Sequence, residues 1–183
     1  MVRVPLVATF LFASLSAGTL PAQRPLQRDV YADPAGQFAV RIPDGWNAVP
    51  QQGSVTIKHG SAYVVISRMA RVNDTREIVA TLSRQIASQW TNVSTVGRGD
   101  ISIGGQPAAY EMLSGTSPNG VPSLLRIAGV LAPDGEGFAV LGSSSQREFE
   151  NVKGALISID ENLTFVGGAS NRGGSDRGQR PRN

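Results

Sequence analysis

The chain has 183 residues, 40% of them hydrophobic and 17% charged, which is the make-up of a soluble globular protein with one core plus appendages. It contains no cysteine, and this excludes disulfides, thiolate metal sites, a cysteine nucleophile and a lipid-modified amino-terminal cysteine. The formal net charge is +3, from 17 basic and 14 acidic side chains. Five of the basic residues (Arg3, Arg172, Arg177, Arg180 and Arg182) and one acid (Asp176) belong to the two terminal segments, so the body of the chain is near neutral at 12 against 13.

Residues 1–22 place Arg3 before the apolar run Val4 to Leu15, followed by the small residues of SAGTLPA. That order is the one found in a secretory signal peptide, with cleavage after Ala22 or near Ala17. An uncleaved anchor would need roughly 20 apolar residues, and this run is shorter and weakened by Pro5, Ser14 and Ser16. Export, to a periplasm or the exterior, is therefore the expectation. Residues 23–30 read as a linker left by processing, residues 31–167 as the folded domain, and residues 168–183 as a Gly- and Arg-rich tail. The tail has too little apolar surface to offset its ordering entropy, so disorder is expected there. A domain of about 145 residues can bury roughly two-thirds of its unfolded surface, enough to hold without disulfides.

The turn residues Asp33 to Gly36 precede Phe38, Val40 and Ile42, which alternate with Gln37, Ala39 and Arg41 as in a half-buried strand that Pro43 ends. Ser54 to Lys58 and Ala62 to Met69 flank His59-Gly60 as a hairpin. Next comes NDTREIVATLSRQIASQW, in which Asp74 can cap a helix with Glu77 three residues on. Ile78, Leu82, Ile86 and Trp90 mark its buried face. Strands are expected over Val93 to Ile103, Ala108 to Leu113, Val121 to Leu131 and Phe138 to Leu141, joined by Gly- and Pro-rich turns. Connections that short join antiparallel neighbours. A second helix is expected to start at Ser145, with Glu148 completing a capping box and Phe149, Val152, Leu156 and Ile159 on one side. Gly154 weakens this helix by about 1 kcal/mol relative to alanine. Leu163 to Val166 closes the domain as a short strand. The expected class is α+β, an antiparallel sheet covered by two amphipathic helices.

Tyr31, the Asp33–Gly36 turn, Phe38 and Ile42-Pro43-Asp44-Gly45-Trp46 resemble the Y-x-D-x-x-G-F-x-x-x-x-P-x-G-W opening of PsbP-like domains. A Gly105-to-Ala108 segment before a strand, then a hairpin and a closing helix, extend the similarity over roughly residues 31–166. The resemblance implies an α/β/α sandwich. It also implies the company of an extrinsic subunit of the oxygen-evolving complex, exported bacterial proteins and a nuclear protein that binds a small GTPase. It brings no catalytic motif. Only the short 23–30 linker separates the leader from Tyr31, which speaks against a photosynthetic role.

Chemistry-bearing patterns are sparse. His59 is the sole histidine and, with no cysteine, cannot by itself build a zinc site; it reads as an exposed turn residue. Gly115 to Gly120 lacks the spacing of a nucleophile elbow, and Gly97, Gly99, Gly104 and Gly105 lack that of a dinucleotide loop. Arg98-Gly99-Asp100 spells an adhesion tripeptide and is equally a piece of strand or turn. Asp134 with Glu136, and Asp160 with Glu161, read as solvated turn acids rather than calcium ligands. Three N-x-S/T sequons matter only in a host that glycosylates exported proteins.

The function expected is thus an exported, non-enzymatic accessory or binding protein without a cofactor. Its partner would be an envelope or secreted protein, and nucleic acid is excluded by export. The alternative is an extracytoplasmic hydrolase with an unfamiliar acid and hydroxyl site. Tyr31 and Trp46 are the aromatic candidates for a partner contact, although Phe38, Val40, Ile42 and Trp46 read equally as core. Arg172, Arg177, Arg180 and Arg182 are candidates for weak contact with an anionic surface.

Overall fold

Short runs that alternate apolar and polar residues form the strands, and the two stretches with apolar residues every three or four positions form the helices. The computed structural model describes residues 29–69 and 72–166. Its elements are β1 (Val30–Ala32), β2 (Phe38–Arg41), β3 (Asn47–Gln51), β4 (Ser54–His59), β5 (Ala62–Met69), α1 (Thr75–Ala87), β6 (Thr91–Ile103), β7 (Gln106–Thr116), β8 (Pro122–Leu131), β9 (Gly137–Ser145), α2 (Phe149–Glu161) and β10 (Leu163–Phe165). The leader, most of the linker and the arginine tail lie outside the described residues, together with what was expected of them.

Seven strands form an antiparallel sheet in the order β3-β4-β5-β9-β8-β7-β6. The two-residue period of its central strands sends side chains to both faces, and each face is covered. On β8, Leu125 and Ile127 join Ile78, Val79 and Leu82 of α1 in one cluster. Ala128 and Val130 join Val152, Leu156 and Ile159 of α2 in a larger one, with Phe38, Val40, Ile42 and Trp46. The result is an α+β sandwich with a helix on either side of the sheet.

Besides β1, which takes in Val30 of the expected linker, three local outcomes depart from the sequence reading. The opening strand β2 does not enter the main sheet: it pairs with β1 and β10 in a three-stranded sheet of its own, packed on the α2 side. Pro43 stops its pairing, and the turn closed by Trp46 N–H donating to the Pro43 carbonyl (3.0 Å) redirects the chain. It emerges as β3, a strand absent from the sequence reading that contains Pro50. Proline is tolerated there because β3 is the outer strand of the sheet, paired only with β4.

The second helix is the third departure. Ser145 is still held in β9, paired with Ser123, so its backbone is extended and cannot cap. The helix starts four residues later, at Phe149. Its N-cap, Glu148, lies in the helical region and makes no side-chain cap bond. The Ser145 hydroxyl instead donates to the Glu148 carboxylate (3.3 Å), as does Ser61 from the β4–β5 turn. The first helix follows expectation more closely: the Asp74 side chain accepts from Arg76 N–H at 2.8 Å, and the helix ends at Ala87. Trp90 falls beyond its end but packs on the same cluster.

Candidate functional site

Several carboxylates are held by partners drawn from distant parts of the chain. Glu111 on β7 accepts from Ser83 of α1 (2.6 Å) and from Thr95 (2.8 Å) and Arg98 (3.0 Å) of β6. Burial acts to raise its pKa, but the two hydroxyls and the guanidinium outweigh burial and hold the carboxyl below the usual glutamate range. Nearby on the same face, Arg76 of α1 reaches Asp100 of β6 at 3.2 Å, both side chains being largely exposed.

At the end of the sheet where β8 turns into β9, Glu136 accepts from Gln37 (2.6 Å) and pairs with Arg68. It thereby ties the small sheet to the large one. On the opposite face, Arg126 projects from β8 and meets Asp160 of α2 in a two-pronged ion pair, with Nη2 to Oδ1 at 2.6 Å. The Asp160 side chain is only 7% exposed. Burial pushes its carboxyl upward, Arg126 opposes that, and the neighbouring Glu161 adds to the rise. Nε of Arg126 and Oγ of Ser144 are buried without a hydrogen-bond partner. Asp160 and Glu136 are therefore not the solvated acids that the sequence suggested. Asp160 sits in the last turn of a helix whose inner face is core, and Glu136 is drawn inward by Arg68 and Gln37.

Two open clefts flank the β8–β9 turn. The larger, about 450 Å³, lies between Thr75 at the start of α1, Asp100, Gln106 and Pro107 of β6–β7, and Leu131 and Pro133. The smaller, about 180 Å³, is edged by Arg68, Asn73, Asp134 and Glu136. Among the described residues no three His, Asp or Glu side chains are grouped to hold a metal. No helix among them is long and apolar enough to cross a membrane.

Trp46 is 8% exposed and belongs to the α2-side core. Its ring stacks on that of His59 at 5.7 Å between centroids, and His59 Nδ1 lies 2.8 Å from the Gly45 carbonyl. His59 is exposed, at the end of β4. Tyr31 is half-buried, tilted against Phe38 at 5.9 Å, and its phenol is pushed up by burial and then by the charge of Asp33. Arg172, Arg177, Arg180 and Arg182 lie outside the described residues. Sequence reasoning passed over Arg126, although a lone arginine inside Leu124-Leu125-Arg126-Ile127-Ala128 signals a buried charge that needs a partner. The cleft residues gave no such signal, since they come together from four separate segments.

No family model matches the chain, and no curated protein does. Solved structures do. Mycobacterium tuberculosis LpqN, described as involved in cell envelope biogenesis, superposes with a TM-score of 0.54 at 16% identity, over 71% of this chain and 83% of that one. Cyanobacterial PsbP from Synechocystis gives 0.51 at 14% identity over 84% and 98%. The Saccharomyces cerevisiae Ran-binding protein Mog1p gives 0.52 at 7% identity over 75% and 94%. At such identities the likeness speaks to the fold. The chain has the PsbP/Mog1-like fold.

Proposed function

We propose that this protein is an exported, non-enzymatic accessory protein that works by binding another protein of the envelope or exterior. One observation carries the non-enzymatic part: Glu111, Glu136, Glu148, Asp100 and Asp160 each serve a separate structural pairing instead of converging on one cavity. Acid–base chemistry needs groups that face a common reacting atom. Binding is supported by the fold, since proteins described as Ran-binding and as involved in envelope biogenesis share it. Function lives in sites carried on folds, and here the acids of the site are spent on separate pairings. Export rests on the leader-like order of residues 1–22.

In this reading Tyr31 is the aromatic side chain open to a partner, and Trp46, stacked on His59, sets its own loop instead. The tail arginines Arg172, Arg177, Arg180 and Arg182 add weak attraction to anionic surfaces, up to about 1 kcal/mol each near such a surface. Removing residues 168–183 should then lower binding to anionic vesicles, with the difference disappearing at high salt.

The test is a tagged full chain expressed in its native host, fractionated and cross-linked in place. The expected outcome is a chain shortened at its amino terminus, outside the cytoplasm, cross-linked to a different protein. A full-length chain confined to the cytoplasm would overturn export. Turnover of ester, peptide or glycoside substrates by the mature chain would overturn the non-enzymatic role.

A further inference from the structure

The two outer strands of the large sheet are built differently. At one edge β3 has five residues and Pro50, which lacks an amide donor and blunts further pairing. At the other edge β6 runs for 13 residues without a proline and is exposed along most of its length. Register shifts interrupt its pairing with β7 between Thr91 and Ser94 and between Thr95 and Gly97. From Gly97 to Ile103 it is regular, each residue paired in turn with Met112 through Gln106.

The middle of that regular stretch is Arg98-Gly99-Asp100. Read antiparallel against itself about Gly99, it is complementary: Arg98 faces Asp100 of a second chain, and Asp100 faces its Arg98. Both residues share one face of the sheet, since they are two apart on a strand. Both side chains are largely exposed, at 73% and 72%. Each is already paired on its inner side, Arg98 with Glu111 and Asp100 with Arg76. Strand pairing would extend these into a row of alternating sign, Glu111, Arg98, then Asp100 and Arg76 of the second copy, repeated by the twofold axis.

The other face fits as well. The same register sets Ile101 opposite Gly97 of the second copy, so that a large side chain meets a residue that has none. The Tyr110 ring already lies over Gly99, whose hypothetical Cβ would come within 3.2 Å of it, so the glycine edge is backed by an aromatic side chain.

We propose that β6 is a homodimerisation edge, on which two copies pair antiparallel about Gly99 and join their sheets into one. This goes beyond the accessory role and does not depend on it. A five-residue ladder covers much less than the roughly 1,200–2,000 Å² of stable complexes, so the dimer is weak and concentration-dependent.

Sedimentation of the purified mature chain over about a 100-fold concentration range should show reversible monomer–dimer exchange that weakens as salt rises. Asp100→Arg alone places like charges opposite one another twice, as does Arg98→Asp alone. Each should lose about tenfold or more in self-association, with unchanged circular dichroism. Mixing the two single variants restores opposite charges at both positions, so the mixture should form heterodimers at least as readily as the parent chain forms dimers. In the parent chain, amide exchange at residues 97–101 should slow as concentration rises. A parent chain that stays monomeric throughout would overturn the proposal. So would a mixture that associates no better than its components, or a dimer whose β6 amides exchange at the monomer rate.

Discussion

The two faces of the large sheet are covered by helices of the same length but held by opposite chemistry. On one, α1 carries a side-chain cap, packs its backbone directly on β8, shares with β6 and β7 a half-buried polar clamp built on Glu111, and reaches β6 through the exposed Arg76–Asp100 pair. On the other, α2 has no side-chain cap, lies over the larger apolar cluster and is tied to β8 by the buried Arg126–Asp160 pair. An exposed pair adjusts to water and contributes little, whereas a buried pair commits both partners. The exposed Arg76–Asp100 pair on the α1 face should therefore tolerate the loss of a charge and the buried Arg126–Asp160 pair on the α2 face should not.

The sharpest way to break this contrast is Asp160→Ala, which leaves the Arg126 guanidinium buried and unpaired. A loss of about 3–5 kcal/mol is expected in urea unfolding. The double replacement Arg126→Met with Asp160→Leu removes both charges and should return stability to near the parent value or above it. If the single and double variants lose equally, packing rather than charge holds α2.

Next in size is Gly129→Ala on β8. Its Cβ would fall against the Thr75 carbonyl and within 2.8 Å of Ile78 Cβ, so α1 would have to lift off the sheet. A cost of about 1–3 kcal/mol is expected, read as a lowered urea midpoint. Asp160→Ala combined with Gly129→Ala should be close to additive if the two faces are independent.

A smaller effect separates the faces by pH. Glu111 has its folded pKa below the ordinary value, so its contribution is present above the unfolded carboxylate range and is lost as pH falls through the folded value. Stability should decline on acidification, and Glu111→Gln should flatten the part of that decline due to this group, measured as urea midpoint against pH. An unchanged slope would show that the clamp holds no net proton linkage.

The smallest change sharpens the comparison from the other side. Gly154 sits inside α2 with open space around its Cα, so Gly154→Ala should stabilise the protein by up to about 1 kcal/mol, read as a raised melting temperature. The absence of any gain would mean that α2 depends on its packing alone.

Much of this architecture was legible in the residues. The alternation in Phe38 to Ile42 and in Ala62 to Met69, the Ile78/Leu82 stripe and the Asp74 cap are short-range signals, and the structure keeps them. What was not legible required knowing a strand's neighbours. Pro50 argues against a strand until β3 is known to be an edge. Ser145 and Glu148 spell a capping box until Ser145 is known to pair with Ser123. The candidate site divides in the same way. Trp46 could be read as core or as a partner contact, and its stack on His59 depends on a hairpin 13 residues further on. Arg126 and Asp160 stand 34 residues apart, and nothing local announces that they meet.

By itself the sequence determined most of the strands, both helices and their buried faces, and the absence of cysteine chemistry, because periodicity and φ preferences act within a few residues. The tertiary structure alone decided that the opening strand leaves the main sheet, that Asp160 is buried against Arg126, and that β6 is left as a long edge, regular from Gly97 to Ile103. Those outcomes depend on which distant segments come to lie side by side, and the free energy of a strand edge or a buried charge is defined only once its neighbour is in place.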